Sequence, residues 1–203
     1  MRFTDISALA GIAFAIMVLA LHLPLINRLK QISLFGVLLF IAALIPIDGL
    51  SVAEFVRGML GDLSFSTLLL LAIAYGRILS ARRHRNEIRQ NTDDSTRIAV
   101  LSVISIAALA LYPFALGIGM TDPYRLGYGD MGFLGGLLLA ALLAWALRYS
   151  LIALIISLAV LGWSAGWYES NNLWDYLLDP WVAIYALGVL IKKSVLFVRK
   201  KII

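Results

Sequence analysis

Carboxylates have the widest chemical reach of the side chains here, since clustered carboxylates can serve as acid and base, hold a metal ion or bind a cationic group. Of the 12 acids, all but Glu87, Asp93 and Asp94 fall beside segments that the charge pattern below assigns to one side of a membrane: Asp5, Asp48, Glu54, Asp62, Asp122, Asp130, Glu169, Asp175 and Asp179. Asp5, Asp62, Asp130 and Asp179 stand at or just before the start of an apolar stretch, the last followed by Pro180. An Asp there accepts from orphan backbone N–H groups and sits at the positive end of the helix dipole, so these read as caps. Asp48 precedes Gly49 and Asp122 precedes Pro123, which is turn composition. If the chain is an enzyme, the candidates are Asp48, Asp122, Glu169 and Asp175, and Asp175 and Asp179 are spaced to share one helical face.

Aromatic residues accompany these acids: Tyr124, Tyr128, Trp163, Trp167, Tyr168, Trp174, Tyr176 and Trp181. An interfacial aromatic belt accounts for most of them. A ligand-binding role, stacking on a sugar or lipid head group, would fall to Tyr124, Tyr128 and Trp174 beside Arg125.

Two short motifs suggest more than their surroundings allow. Gly162-Trp163-Ser164-Ala165-Gly166 matches G-x-S-x-G and resembles the serine motif of intramembrane rhomboid proteases. A nucleophilic serine needs a base in hydrogen-bond reach, and both histidines, His22 and His84, belong to the opposite side of the membrane. Gly162 and Gly166 read instead as a small-xxx-small packing seam. Leu126-Gly127-Tyr128-Gly129-Asp130 resembles a potassium-channel filter over five residues, but it lacks the threonine, and too little chain precedes it for a pore helix. It reads as a glycine-rich turn. With no cysteine, thiolate chemistry is excluded; neither a metal site nor a cofactor is expected.

The elements that must position these residues are membrane helices. The chain has 203 residues, 62% hydrophobic and 14% charged, with a mean hydropathy of +0.92; a soluble domain carries about 25% charged residues. Apolar stretches at 6–26, 32–47, 64–81, 97–117, 131–147, 150–167 and 180–196 predict an all-α, polytopic bundle of seven transmembrane helices forming a single domain over 1–203. The basic loop 82–96, with Arg82, Arg83, Arg85 and Arg89, belongs in the cytoplasm, and Asp93 and Asp94 read as caps of the following helix. Counting from it puts the N-terminus outside and the C-terminus inside. Of the 17 basic residues, only Arg2, Arg57 and Arg125 then lie outside. Their distribution faces anionic lipid and gives no stripe for nucleic acid.

Two outer segments, 48–63 and 168–179, exceed tight turns. The first predicts an amphipathic interfacial helix with Glu54 and Arg57 paired three apart; the second predicts a turn that re-enters the interface. Gly132, Gly136, Ala140 and Ala144 recur at spacing four, a ridge that places the fifth span centrally in the bundle or against a partner. Pro113 should kink the fourth span. No acid or base falls near the middle of any span, which disfavours proton-coupled transport.

Together these features predict a multi-pass protein of a bacterial inner membrane. The leading expectation is a non-catalytic subunit surrounded by membrane lipid and associating with another membrane protein or with itself, in assembly or export of envelope lipid or polysaccharide. An outer-face enzyme acting on a lipid-linked substrate through carboxylates is the alternative; a small transporter or passive channel is the third reading.

Overall fold

The computed structural model describes residues 2–24, 26, 31–83 and 90–202, with the side chains of 81–83, 90–94 and 200–202 excluded. The predicted positions of Arg28, Lys30, His84, Arg85, Glu87 and Arg89 lie outside the described residues. The chain is all-α and 79% helical. In order it forms α1 (Phe3–Leu21), α2 (Ile32–Leu44), a hairpin of β1 (Pro46–Ile47) and β2 (Leu50–Ser51), α3 (Val52–Leu60), α4 (Phe65–Arg83) and α5 (Gln90–Ala115). A 3-10 helix (Pro123–Tyr128) follows, then α6 (Met131–Ala146), α7 (Ser150–Ser164), α8 (Leu173–Leu177) and α9 (Pro180–Ile202).

Each predicted apolar stretch is a helix. Three are long and apolar enough to cross a membrane: Phe3–Leu21, Ser95–Ala115 and Pro180–Arg199. Ile32–Leu44, Phe65–Ser80, Met131–Ala146 and Ser150–Ser164 are apolar but shorter. At 1.5 Å per residue, the 16 residues of α6 rise about 24 Å, less than a hydrocarbon core of about 30 Å.

The shape of the bundle follows from where small residues let backbones approach. Packing cores join α1, α2, α3 and α4 on one flank and α5, α7, α8 and α9 on the other. α4 stands between them and touches α1, α7, α8 and α9. Gly162 of α7 makes this possible: a Cβ there would intrude on the ring of Phe65 at the start of α4. Phe65 has no room to yield, since Tyr168, Tyr176 and Trp167 lie around it at ring-centroid distances of 5.9, 6.2 and 6.3 Å.

Several expectations are corrected. Of the predicted loop 82–96, the described residues are helical: α4 runs through Arg83 and α5 begins at Gln90, so Asp93 and Asp94 lie inside α5, past its start. Of the two placements expected for the fifth span, central or against a partner, the central one is not taken: α7 is the principal neighbour of α6, Gly132, Gly136 and Ala140 are exposed, and Ala144 alone of that ridge is buried. Gly166 packs on nothing within the described chain. It ends α7 with φ +62° in open space, where the N–H of Trp167 returns to the Gly162 carbonyl. Pro113 falls in the last turn of α5, which stops two residues later.

Gly162→Ala should therefore destabilise the chain by about 1–3 kcal/mol, the range for overpacking, seen as a lower thermal midpoint in detergent. Gly136→Ala, with nothing within 4 Å of the added Cβ, should leave that midpoint unchanged.

Candidate functional site

The starts of α1, α4, α6 and α9, which carry or adjoin the acids, meet the ends of α5 and α7 in a polar layer together with α3, α8 and the 3-10 helix. Three local assemblies build it.

The first is centred on Arg57. Ser51 starts α3 through a capping box: its Oγ accepts from the Glu54 N–H at 3.1 Å, and Glu54 accepts from the Ser51 N–H at 2.7 Å. Those bonds to Ser51 hold the Glu54 carboxyl below its usual range. Glu54 is thereby occupied, and the expected Glu54–Arg57 pair is not made. Arg57 instead reaches Asp62 at 2.6 Å, Asp5 at 3.0 Å and Glu169 at 3.9 Å, linking α3 to α1 and to the chain before α4. Asp62, predicted to cap α4, is a partner of Arg57, and the capping oxygen is Ser64 Oγ, which accepts from the Thr67 N–H. Asp5 does close the first turn of α1, accepting from the Arg2 N–H at 3.0 Å. An open groove of about 610 Å³ borders Arg57, Asp5, Glu54, Asp62 and Glu169.

The second assembly is centred on Asp179, 4% exposed. One oxygen accepts from the Val182 N–H at 2.9 Å, capping α9 as predicted. The other accepts from the Ser64 N–H at 2.9 Å, from Ser64 Oγ at 2.8 Å and from Thr67 Oγ1. Ser66 adds a hydroxyl bond to the Leu177 carbonyl.

The third assembly joins the 3-10 helix to α8. Asn172, fully buried, accepts from the Trp174 N–H and donates to the Tyr124 carbonyl, both at 2.9 Å. Trp174 donates from its indole to the Pro123 carbonyl at 3.0 Å. Gly127 is needed here because any Cβ would overlap the Asn172 carboxamide, which gives the filter-like sequence a packing role. Tyr124 donates to Asp175 at 2.9 Å and Ser170 donates to the same carboxylate.

Between the second and third assemblies lies a cavity of about 350 Å³ whose wall includes Asp62, Tyr112, Tyr124, Tyr168, Asp175 and Asp179. Tyr168 is 3% exposed and its hydroxyl has no hydrogen-bond partner. Burial raises its pKa, and the charge of Asp62 adds to that; burial and the bond to Asp175 raise that of Tyr124.

The predicted site residues are thus dispersed. Asp175, Tyr124 and Trp174 come together, Trp174 on the structural side of the joint. Glu169 borders the groove, and Asp122 caps the 3-10 helix by accepting from the Tyr124 N–H. Asp48 turns the hairpin with φ 53° before Gly49 at φ 88°, as its composition implies. Tyr128 meets the Tyr124 ring edge-on and is exposed, and Arg125 lies on neither cavity wall. Asp175 and Asp179 do not share a helical face, because Leu178 between them is extended. Within 168–179, Tyr168, Leu173, Tyr176, Leu177 and Leu178 are buried against the rest of the chain, so Tyr168 and Tyr176 are not exposed rings of an aromatic belt. Ser64, Thr67, the buried joint that Asn172 makes with Tyr124 and the cavity role of Tyr168 are not foreseen from the sequence, although Asn172 is expected to start a turn and does cap α8, and Ser64 directly before an apolar run is a capping signal.

Comparison of the chain with protein-family models, with curated proteins and with solved structures finds no match.

Arg57→Met should leave Asp5 and Asp62 without their shared cation and lower stability by about 1–3 kcal/mol, the scale of a hydrogen bond to a charged group; denaturation of the purified variant measures it. Alkaline titration tests the tyrosines. Both raised pKa values mean that the folded chain keeps protons that the unfolded chain releases near the ordinary value of about 10. Their contribution is complete below about pH 10 and is lost as pH rises beyond it. Phenolate absorbance should show a late tyrosine fraction that appears together with loss of helical circular dichroism.

Proposed function

We propose that this chain is a multi-pass protein of a bacterial inner membrane, crossing it seven times with the N-terminus outside and the C-terminus in the cytoplasm. In this reading it is a non-catalytic subunit that binds a second membrane protein through α6. Seven apolar helices support the crossing number, and the positive-inside rule supports the orientation. The dispersal of Asp48, Asp122, Glu169 and Asp175 favours a binding role over an enzyme built on those acids.

The observation that carries the association is the open face of α6. Gly132, Gly136 and Ala140 are exposed, and nothing in the described chain comes within 4 Å of a Cβ built on Gly135 or Gly136. A small-residue ridge gains little from lipid tails, whereas against another helix it permits close backbone approach and van der Waals contact. The occupant best matched to it is a transmembrane helix of a different protein.

A photo-reactive residue at position 135 of the full chain, cross-linked in native membranes, should capture a transmembrane segment of another protein. Gly136→Leu should abolish that capture without changing the thermal midpoint of the purified chain. Cross-links only to lipid, or only to a second copy of the same chain, would overturn the proposal.

A further inference from the structure

The apolar helices differ in length, and the shortfall is concentrated in one hairpin. Ser95–Ala115 and Pro180–Arg199 hold 21 and 20 residues, whereas α6 and α7 hold 16 and 15. At 1.5 Å per residue the first two rise about 30 Å, the thickness of a hydrocarbon core, and the second two about 22–24 Å. Tilting cannot supply the missing length, because a tilted helix spans less.

The ends of the hairpin carry boundary residues. The chain reverses at Arg148, φ 67°, with the Tyr149 N–H bonded to the Ala144 carbonyl. Trp145, Leu147 and Tyr149 are exposed around that turn. A cation among exposed Trp and Tyr side chains marks a lipid–water boundary. The opposite end is fixed in the polar layer. Asp130 caps α6 through the Phe133 N–H, Phe133 packs on Trp174 at a ring-centroid distance of 4.7 Å, and the Trp163 indole donates to the Asn171 carbonyl at 2.8 Å. α9 starts from the same layer through Asp179, so the length missing from α6 and α7 falls on the side of their turn.

Met131, Leu138, Leu142 and Trp145 are exposed and recur at helical spacing along one stripe of α6. This stripe lies beside the ridge of Gly132, Gly136 and Ala140, so lipid meets it whether or not a partner helix covers the ridge.

We propose that the α6–α7 hairpin sits in a bilayer thinned locally on the side of its turn, and that this flank selects lipids with short acyl chains. A bilayer accommodates a short span by thinning around it, and shorter chains lower the cost of doing so. The inference rests on the crossing of α6 and α7 in the reading above and does not depend on the α6 partner.

The chain has no cysteine, so a fluorophore on a single introduced cysteine reports one position. Leu138→Cys lies near the middle of α6 and Ile106→Cys near the middle of Ser95–Ala115, and both replace exposed side chains. Each labelled full chain should keep the wild-type thermal midpoint; Leu142→Cys, on the same stripe, repeats the α6 measurement. In phosphatidylcholine vesicles, brominated dimyristoleoyl lipid (short) and brominated dierucoyl lipid (long) each compete with unbrominated dioleoyl lipid. At position 138 the short lipid should associate at least about twofold more strongly than the long one, and at position 106 that preference should be absent. Equal quenching by the two lengths at 138, or the same short-chain preference at both positions, overturns the proposal and leaves the crossing intact. Quenching at 106 with none by either lipid at 138 places α6 outside the bilayer and overturns the crossing together with the proposal.

Discussion

Two apolar helices that begin side by side present many backbone N–H donors where little water is at hand, and in this chain one carboxylate serves both starts. Asp179 caps α9 through Val182 with one oxygen and with the other gathers the Ser64 N–H, the Ser64 hydroxyl and the Thr67 hydroxyl at the start of α4. The constraint is mutual. α4 is the helix between the two flanks, so fixing its start against α9 also fixes where Phe65 meets Gly162 and how Tyr168 and Tyr176 stack beneath it. The cavity wall is then the consequence of a cap.

This arrangement explains why sequence patterns reveal the helices and only part of the polar layer. Apolar run length is a local property, so each predicted span appears as a helix, and so do the turn at Asp48-Gly49 and the caps Asp130 and Asp179. Partner choice is not local. Arg57 could have paired with Glu54 three residues away, but Ser51 claims Glu54 and leaves Arg57 for Asp5, 52 positions distant. The joint between Asn172 and Gly127 depends on two loops meeting, and no spacing within either announces it. The aromatic belt fails at Tyr168 and Tyr176 for the same reason. Nearness to a boundary in sequence does not separate a ring facing lipid from one folded under the boundary.

Small residues illustrate the limit most directly. Gly132, Gly136, Gly162 and Gly166 carry the same spacing signal, yet they end in different environments. Gly162 is packed against Phe65, Gly166 turns the chain with a positive φ, and Gly132 and Gly136 face away from the bundle. A glycine spacing states that close approach is permitted, not that a neighbour is present.

The concentration of acids at one end also has a backbone cause. α1, α4, α6 and α9 all begin there, each start carries a partial positive charge of about half a unit, and each meets an Asp directly or through Ser64. The helices that end in the same layer carry no acid at their last turn; α7 closes instead through Gly166 and the returning Trp167 N–H, and α5 is followed by Gly117 at φ 89°. Acids at starts and glycines at ends are two answers to opposite orphan groups. That is why so many carboxylates can share a small volume with one arginine at its centre. The helix starts supply much of the positive charge, and Asp175, which belongs to no long helix start, is the acid for which that compensation is least available.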